Sequence, residues 1–455
     1  MQKESLIKKY NVPAPRYTSY PTVPFWDGDQ PEKAEWFKAV KDTFDRTNRD
    51  KGISLYFHMP FCESLCTYCG CNKRITKNHS VEERYVAVVL KEWETYLKVL
   101  GERPLIQEIH IGGGTPTFFS PENYRWMFGE ISKSADYGEG HDFSFEGHPN
   151  NTTEAHLEAF RELGFNRVSY GVQDFDLKVQ QTINRIQPYK NVKIVTDASR
   201  KLGYESVNFD LVYGLPFQTL DVIRHTINKV AELMPDRIAF YSYAHVPWVS
   251  PGQRAYTEAD LPSDSYKREL YELGKSMLLE LGYKDIGMDH FALEHDDLYK
   301  AFKEERLHRN FMGYTTNQTE LMIGMGCSSI SDAKTAFAQN IKKVEDYEKA
   351  VNETDWAVYR GHFLSKEDSV IREAILELIC HNTLALTPEI KETLDKAAWD
   401  QLEVFKKEGI ITLEPERVSL TELGLPFIRN VCTVFDARLR RKKISEDKPI
   451  FSKSI

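Results

Sequence analysis

The stretch "YFHMPFCESLCTYCGCNK", residues 56–73, places four cysteines within ten positions, directly after an apolar run. The other three cysteines of the 455-residue chain are scattered, at Cys327, Cys380 and Cys432. Thiols crowded in this way form disulfides, bind zinc or hold an iron–sulfur cluster, and each alternative implies a different protein. The spacing C-x3-C-x2-C-x-C confines all four to one tight loop, whereas structural zinc sites usually use two separated cysteine pairs. The spacing alone therefore favours an iron–sulfur cluster and leaves zinc as an alternative.

The composition predicts the compartment in which these thiols reside. With 41% hydrophobic and 28% charged residues, the chain has the composition of a globular protein. Its N-terminal segment lacks the apolar core of a secretory signal, and no window of about 18 uninterrupted apolar residues predicts a membrane span. We therefore expect a cytoplasmic protein, in which thiols stay reduced, and this disfavours a disulfide.

The net charge argues against nucleic acid as a partner. The formal charge is -9 at pH 7, and nucleic-acid binding relies on Lys and Arg to neutralise phosphates. The one basic run, "RLRRKK" at residues 438–443, is interpreted as a solvated face near the C-terminus.

From about residue 50, short β-rich runs alternate with longer amphipathic segments. The helical pattern at residues 81–100 follows Ser80, which lies three residues before Glu83 as in a capping box. Strand–helix alternation at this spacing predicts βαβ units and a parallel sheet, closed into a barrel or partial barrel, with a doubly wound open sheet as the alternative. The six strand-like runs are "ISLYFHM" from Ile53, "IQEIHIGG" from Ile106, "DFSFEG" from Asp142, "RVSYGVQ" from Arg167, "SVNFDLVYG" from Ser206 and "RIAFYSY" from Arg237.

Polar and glycine residues at the ends of the predicted strands favour the barrel. The cysteines follow the first strand and "GGGTPT" follows the second, while Glu146, Gln173 and Asp210 lie at the ends of the next three. Active sites of α/β barrels are assembled at this rim from several strands. The pattern predicts one large site to which five strands contribute.

The chain divides into three predicted parts. Residues 1–45 form a proline-rich N-terminal arm, residues 46–340 the barrel domain, and residues 341–455 a mainly helical C-terminal domain. In that last part, "FKKEGIITLEPERVSLTELGLPFIRNV" has a helix–hairpin–helix pattern similar to a winged helix. Because its surroundings are acidic, we interpret it as an accessory lid rather than a DNA-binding unit.

The cysteine loop resembles a known signature. C-x3-C-x2-C with an aromatic residue before the last cysteine, here Tyr68 before Cys69, is similar to the loop of the radical S-adenosylmethionine (SAM) superfamily. The resemblance implies a partial (β/α)6 barrel in which Cys62, Cys66 and Cys69 bind three irons of a [4Fe–4S] cluster. The fourth iron would chelate SAM, whose reductive cleavage gives methionine and a 5′-deoxyadenosyl radical. Cys71 would not be a ligand.

Further motifs narrow the resemblance to one family. In chain order, "RYTSYPT", "YFHMPFC", "CGCNK", "GGGTPT", "GVQDF", "DLVYGLP", "YAH", "GMDHFA", "HRNFMGYTT" and "IRN" resemble the oxygen-independent coproporphyrinogen III oxidases of the HemN type. These motifs run from Arg16 into the last fifty residues. The implied activity is decarboxylation of two propionates of coproporphyrinogen III to vinyl groups, giving protoporphyrinogen IX in haem biosynthesis. The implied partners are that substrate and a low-potential electron donor such as flavodoxin or ferredoxin, with the enzyme a monomer.

The resemblance also assigns residues to two SAM molecules, a feature of this family. The cluster-bound SAM would contact Tyr56, Tyr68, Gly113, Glu146 and Ile330. A second SAM would contact Gly114, Thr115, Gln173, Arg185, Asp210 and Ala244. An ordinary ion bridge between Arg185 and Asp210 is the competing structural interpretation. For the substrate carboxylates, Arg16 and Arg309 are candidate partners, because the protein as a whole is acidic.

Three departures from the family pattern concern mainly the substrate pocket. "GHPNN" follows Glu146 where a hydrophobic–Asp–Pro pattern is common, Tyr68 replaces Phe, and Met312 replaces Gln. Two alternative functions remain: a radical SAM relative that opens haem rings or transfers methyl groups, and a non-catalytic haem chaperone on the same scaffold. The "CGCNK" sequence and the arm motif argue against the chaperone.

Overall fold

The structure, a computed structural model, describes residues 2–442 and 451–454. Its strands are β1 Ile53–Met59, β2 Phe61–Cys62, β3 Arg74–Ile75, β4 Leu105–Gly113, β5 Asp136–Gly147, β6 Arg167–Gln173, β7 Ser206–Tyr213, β8 Arg237–Ser242, β9 Lys284–Gly287, β10 His290–Ala292, β11 His308–Asn310, β12 Gly313–Thr315, β13 Met322–Met325, β14 Ile330–Asp332, β15 Ala336–Asn340, β16 Val358–Phe363, β17 Thr383–Ala385, β18 Ile411–Glu414 and β19 Arg417–Leu420.

The helices cover both the barrel and the C-terminal part. They are α1 Gln2–Tyr10, α2 Lys33–Thr47, α3 Val81–Leu100, α4 Pro121–Ser134, α5 Glu154–Glu162, α6 Leu177–Thr182, α7 Tyr189–Lys201, α8 Leu220–Leu233, α9 Asp264–Glu280, α10 Asp297–Lys303, α11 Val344–Thr354, α12 Lys366–His381, α13 Pro388–Thr393, α14 Lys396–Lys407, α15 Ile428–Phe435 and α16 Ala437–Arg441. Across the described residues, 2–442 and 451–454, no helix is both long and apolar enough to span a membrane.

The large sheet has six parallel strands at its centre, in the order β1-β4-β5-β6-β7-β8. Each of these strands corresponds to one of the six predicted runs, and helices connect consecutive strands. All residues of β1 except Tyr56 are buried, as expected for a parallel strand with both faces covered. The prediction of a radical SAM partial (β/α)6 barrel is confirmed.

Shorter strands extend the sheet at both edges to twelve strands. β13 pairs in parallel with β1, and β14, β15 and β16 follow it in antiparallel order. At the other edge, β10 and β9 add antiparallel to β8. The expected domain boundary near residue 340 falls between β15 and α11, yet β16 beyond it still pairs with β15, so hydrogen bonds cross that position.

The N-terminal arm is less extended than its prolines indicate. Residues 2–10 form α1, whose Leu6 and Tyr10 pack into the C-terminal core, and α2 buries Trp36, Val40 and Phe44 in the barrel core. These side chains recur at helical spacing, and burial of that apolar face stabilises α2. The arm therefore helps to join the two cores.

The C-terminal part has the predicted helix–hairpin–helix order. α14 leads into β18 and β19, which pair as a hairpin, and α15 follows. β17 adds to the hairpin to give a three-stranded sheet. The core of this part is separate from the barrel core and includes Leu378, Leu402 and Val431.

The predicted capping box at α3 is wrong. Ser80 adopts helical angles, φ -64° and ψ -8°, and its side chain makes no cap hydrogen bond. A capping side chain needs an extended backbone to reach back to the first amides. Instead, the Ser80 backbone N–H donates to Asn78 Oδ1 at 3.1 Å.

Candidate functional site

The cysteine loop leaves the barrel at the carboxyl end of β1. Its base is closed by the parallel pairing of β2 with β3, in which Phe61 lies opposite Arg74 and Cys62 opposite Ile75. Within the loop, the Cys69 backbone N–H donates to the Cys66 carbonyl at 3.2 Å. The Lys73 ammonium donates to the carbonyls of Cys69 at 3.1 Å and Cys71 at 3.3 Å. These bonds fix the loop as one compact turn.

Two neighbouring segments hold the loop from outside. The Thr67 backbone N–H donates to the Ile183 carbonyl at 2.9 Å. From the segment after β8, Ser250 Oγ donates to the Cys69 carbonyl at 3.1 Å, and Gln253 Nε2 donates to the carbonyls of Tyr68 at 3.0 Å and Ala244 at 3.2 Å. Ala244, predicted as a SAM contact, is therefore tied to the loop through Gln253.

The three predicted ligand thiols have different partners. Thr115 Oγ1 donates to Cys62 Sγ at 3.3 Å, and Arg185 Nη1 donates to Cys66 Sγ at 3.6 Å. A hydrogen bond with Cys71 is the largest cause that lowers the pKa of Cys69 to about 6. Burial raises the pKa of Cys62 to about 11, so this thiol requires a neighbouring positive charge, such as that of a bound metal, to ionise.

These thiols fit an iron–sulfur cluster better than a single metal ion. In residues 2–442 and 451–454, no three cysteine, histidine or carboxylate side chains are grouped so as to hold one ion. Instead, Cys62, Cys66 and Cys69 are distributed around the wall of one pocket. A cuboidal cluster of four irons needs thiolates separated in this way, since each binds a different iron.

That pocket, which we call the rim pocket, encloses about 1860 Å³ including its open mouth. The structure brings to it most of the predicted site residues: Cys62, Cys66, Tyr68, Cys69, Gly113, Gly114, Thr115, Glu146, Gln173, Arg185 and Asp210. Tyr56, Ala244 and Ile330 are not part of its wall. The cysteine loop and the ends of β4, β5, β6 and β7 contribute to the pocket, as the rim pattern predicts, and β8 adds Tyr241.

Glycines bring the backbone after β4 close to the cysteine loop. A Cβ at Gly113, whose φ is +116°, would lie 2.8 Å from the His58 imidazole. A Cβ at Gly114 would lie 2.5 Å from the Pro60 carbonyl oxygen. Any larger residue would push the two segments apart, so the glycines create the space in which a ligand approaches the backbone.

The stacked rings of His110 and Tyr56 lie between Glu146 and β1. His110 Nε2 lies 3.5 Å from Glu146 Oε1, and the Tyr56 ring stacks on the His110 ring with centroids 6.0 Å apart. Tyr56 is opposite Gly324 in the sheet, and a Cβ at Gly324 would lie 2.3 Å from the Ile330 carbonyl oxygen. Tyr56 and Ile330 are thus neighbours behind Glu146.

Arg185 and Asp210 do not form the ion bridge that was the competing interpretation. Arg185 Nη2 donates to the Gly171 carbonyl at 2.7 Å, and its Nε is buried without a partner among the described residues. Asp210 accepts from Ser169 Oγ at 3.1 Å and Asn208 Nδ2 at 2.9 Å. Burial, and next the charge of Glu146, raises the pKa of Asp210 to about 6. Both groups keep hydrogen-bonding capacity for a ligand.

A second cavity continues from the rim pocket into the barrel. This inner cavity has a volume of about 130 Å³ and shares Glu146, Asp210 and Tyr241 with the rim pocket. Met312, one of the three departures from the family pattern, lines it. The two cavities therefore adjoin at these three side chains.

Sequence reasoning missed His148 and Tyr241, which both line the rim pocket. Burial, and next the charge of Arg185, lowers the pKa of His148 to about 3, so the imidazole is neutral. Its position two residues after Glu146, just beyond the end of β5, was the available signal. His58, by contrast, is fully bonded, with Nε2 2.9 Å from the Asn72 carbonyl oxygen and Nδ1 3.1 Å from the Tyr56 hydroxyl.

Comparisons with known proteins agree with this site. Residues 56–230 match the model of the Radical SAM superfamily. The oxygen-independent coproporphyrinogen III oxidase of Pseudomonas aeruginosa is 37% identical over 443 residues, which cover 95% of each chain. The enzyme of the same name from Escherichia coli is 36% identical over 444 residues, 96% of each chain.

A solved structure matches at the level of the whole fold. The coproporphyrinogen III oxidase (HemN) from Escherichia coli, a radical SAM enzyme, has a TM-score of 0.87 at 34% identity. The match covers 95% of this chain and 98% of that one. The protein is thus a member of the family of oxygen-independent coproporphyrinogen III oxidases within the radical SAM superfamily.

Proposed function

We propose that this protein converts coproporphyrinogen III to protoporphyrinogen IX without oxygen, by oxidative decarboxylation of two propionates to vinyl groups. The observation that carries the proposal is the rim pocket, in which three cysteines of one loop face Gly113, Glu146 and Asp210 from the barrel strands. The inner cavity adjoins this pocket at Glu146, Asp210 and Tyr241.

Each part of the rim pocket has a role in this reaction. Cys62, Cys66 and Cys69 would hold the [4Fe–4S] cluster, and the backbone at Gly113, with Tyr68 and Glu146, would hold SAM. When bound, the cluster and SAM would supply the radical that removes a hydrogen atom from the β-carbon of a propionate. Loss of carbon dioxide, with transfer of one electron to an acceptor, would then leave the vinyl group.

Two SAM molecules bind at once in this proposal. The first would lie against Tyr68, Gly113 and Glu146, with Tyr56 and Ile330 of the predicted set outside the pocket wall. The second would contact Gly114, Thr115, Gln173, Arg185 and Asp210, with Ala244 of the predicted set also outside that wall. Support for the second comes from the unpartnered Nε of Arg185 and from the carboxyl of Asp210. A guanidinium pairs with the carboxylate of SAM, and a carboxylate pairs with its ammonium group.

The remaining parts of the proposal concern the cellular context. Thiolate ligands and a reducible cluster require a reducing compartment, so the enzyme operates in the cytoplasm. The electron enters from a low-potential donor such as flavodoxin or ferredoxin. In this proposal the enzyme functions as a monomer.

The test is an anaerobic assay with reduced, cluster-loaded protein, SAM and coproporphyrinogen III. The expected product is protoporphyrinogen IX, identified after oxidation by its absorption and mass. A Cys66→Ala variant under the same conditions is the control and should give none. Haem breakdown, or methylation of the porphyrinogen, would instead support one of the relatives with another chemistry.

A further inference from the structure

Arg309 carries a buried positive charge with unused hydrogen-bond donors. Its side chain is on β11, opposite Tyr314 of β12, and the residue is 8% exposed. Nε and Nη1 are buried and have no partner among residues 2–442 and 451–454. The guanidinium lies 4.7 Å from the centroid of the Tyr314 ring. A ring face offsets only part of the cost of burying a cation.

A second unsatisfied group borders the same tyrosine. The His290 ring, on β10, has its centroid 5.2 Å from that of Tyr314, and its Nδ1 is buried without a partner in the described part of the chain. Burial, and next the charges of Arg309, Arg16 and Arg237, lowers the pKa of His290 to about 3. The imidazole is therefore neutral, and it can donate one hydrogen bond from Nδ1 in the appropriate tautomer.

The other candidate arginine is already paired. Arg16 Nη1 donates to Asp289 Oδ2 at 2.9 Å, and its guanidinium lies 5.9 Å from the Tyr241 ring centroid. Buried charges in proteins are normally paired, because one left unpaired is strongly destabilising. Arg309 and His290 together thus offer unused hydrogen-bond donors and a positive charge to an anion.

The location of this site identifies the anion. His290, Tyr314 and Met312 line the inner cavity, which shares Glu146, Asp210 and Tyr241 with the rim pocket, and Arg309 lies against the Tyr314 ring of that wall. An anion held there lies beside the radical-generating centre of the proposed function. The proposed substrate carries four carboxylates, and the product keeps two of them.

We propose that Arg309 and His290 bind one carboxylate of the porphyrinogen, and that this propionate is not the one undergoing decarboxylation. Guanidinium N–H groups donate to its oxygens, and His290 Nδ1–H adds a further bond. Strong pairing of a reacting carboxylate would stabilise the ground state and slow its loss as carbon dioxide. The pair therefore orients the substrate by a propionate that is retained.

The test compares Arg309→Met, Arg309→Lys and His290→Ala with Arg306→Met, whose exposed arginine pairs with Glu304. Binding of coproporphyrin III to the cluster-loaded protein without SAM is followed by quenching of tryptophan fluorescence. Loss of a charge-assisted pair predicts binding weaker by ~10- to 100-fold for Arg309→Met. Arg309→Lys should recover part of the affinity, and Arg306→Met should match the wild type. The neutral tetra-amide of coproporphyrin III should bind wild type and Arg309→Met equally.

Two further readouts separate this role from a structural one. The melting temperature of Arg309→Met should equal or exceed that of the wild type, because an unpaired buried charge is removed. In turnover, KM should rise while kcat changes little. Wild-type affinity for coproporphyrin III in both Arg309→Met and His290→Ala would overturn the inference. It would also be overturned if Arg309→Met weakened the binding of coproporphyrin III and of its tetra-amide equally.

The inference rests on the proposed substrate, so wild-type turnover of coproporphyrinogen III is measured in parallel. If the wild type gives no product but binds coproporphyrin III through Arg309, the proposed reaction fails and the carboxylate site stands. If the wild type turns over and the variants bind coproporphyrin III normally, only the carboxylate site fails.

Discussion

Arg185 Nη1 donates a hydrogen bond to Cys66 Sγ at 3.6 Å, between residues 119 positions apart in the chain. The same guanidinium reaches the Gly171 carbonyl, so it bridges the cysteine loop and β6. A positive donor at the sulfur of an iron ligand stabilises the more negative, reduced state of the cluster. In the proposed function Arg185 would thus have two roles, one toward the cluster and one toward the second SAM.

Replacement of Arg185 by Met should make the cluster harder to reduce. The lost charge-assisted bond predicts a midpoint potential lower by on the order of 50–100 mV. Anaerobic redox titration followed by electron paramagnetic resonance measures this shift. Arg161→Met, on the outer helix α5, serves as the control. An unchanged potential in Arg185→Met would exclude the role toward the cluster.

The cysteine assignments predict different outcomes for neighbouring thiols. Replacement of Cys62, Cys66 or Cys69 by Ala should abolish the ~400 nm absorption expected of a [4Fe–4S] cluster. Cys71→Ala should keep the absorption and about four irons per chain after anaerobic purification. Iron and acid-labile sulfide analysis checks both. Stoichiometric zinc without sulfide in the wild type would contradict the assignment.

Binding of the second SAM should depend on pH through Asp210. The pKa of this carboxyl is raised to about 6, so it is an anion above that pH and neutral below it. The ammonium group of SAM pairs with the anion only, and the affinity of the second site should therefore fall as pH decreases through 6. Equilibrium dialysis at pH 5–8 measures this.

The matched variants are Asp210→Asn and Asp221→Asn, the latter on the exposed face of α8. Asp210→Asn should bind one SAM per cluster at every pH, and Asp221→Asn should behave as wild type. One SAM per cluster in the wild type at saturation would refute the second site.

The buried carboxyl group of Glu92, which is not part of the rim pocket, should make the stability of the fold depend on pH. It accepts hydrogen bonds from Gly326 N–H, Asn340 Nδ2 and the Tyr347 hydroxyl, and burial raises its pKa from 4.5 to about 7. Between these values the folded state binds a proton that the unfolded state has lost. The free energy of unfolding should therefore fall as pH rises from 4.5 toward 7.

Glu92→Gln removes this titration and leaves an amide facing hydrogen-bond donors. It should be less stable by ~1–3 kcal/mol at pH 5 and show a flatter pH profile. Anaerobic urea unfolding at several pH values measures both, with the exposed Glu94→Gln as control. A slope in Glu92→Gln as steep as that of the wild type would show that another group is responsible.

Long elements with strong patterns could be predicted from the sequence. Each of the six parallel strands contains one of the strand-like runs of the sequence, and β1 is buried along nearly its whole length. The carboxyl ends of parallel strands meet at one rim, so the pattern also predicted that Cys62, Glu146 and Gln173 would share a pocket.

Features that depend on tertiary contacts could not be predicted. β13 and β14 have four and three residues, too few for a periodic signal, and they are strands because β1 offers an open edge. The hydrogen bond between Arg185 and Cys66 cannot be predicted from the sequence around either residue. Ser80 was misassigned because side-chain type alone does not determine whether a backbone is extended.

The central claim is oxidative decarboxylation of two propionates per porphyrinogen, and counting the products tests it most directly. Reduced wild-type protein is incubated anaerobically with SAM, an electron acceptor and coproporphyrinogen III labelled with carbon-13 at the propionate carboxyls. The proposed reaction should release two labelled carbon dioxide molecules and two 5′-deoxyadenosines for each protoporphyrinogen IX formed. Cleavage of SAM without release of labelled carbon dioxide, with the porphyrinogen recovered unchanged or methylated, would contradict it.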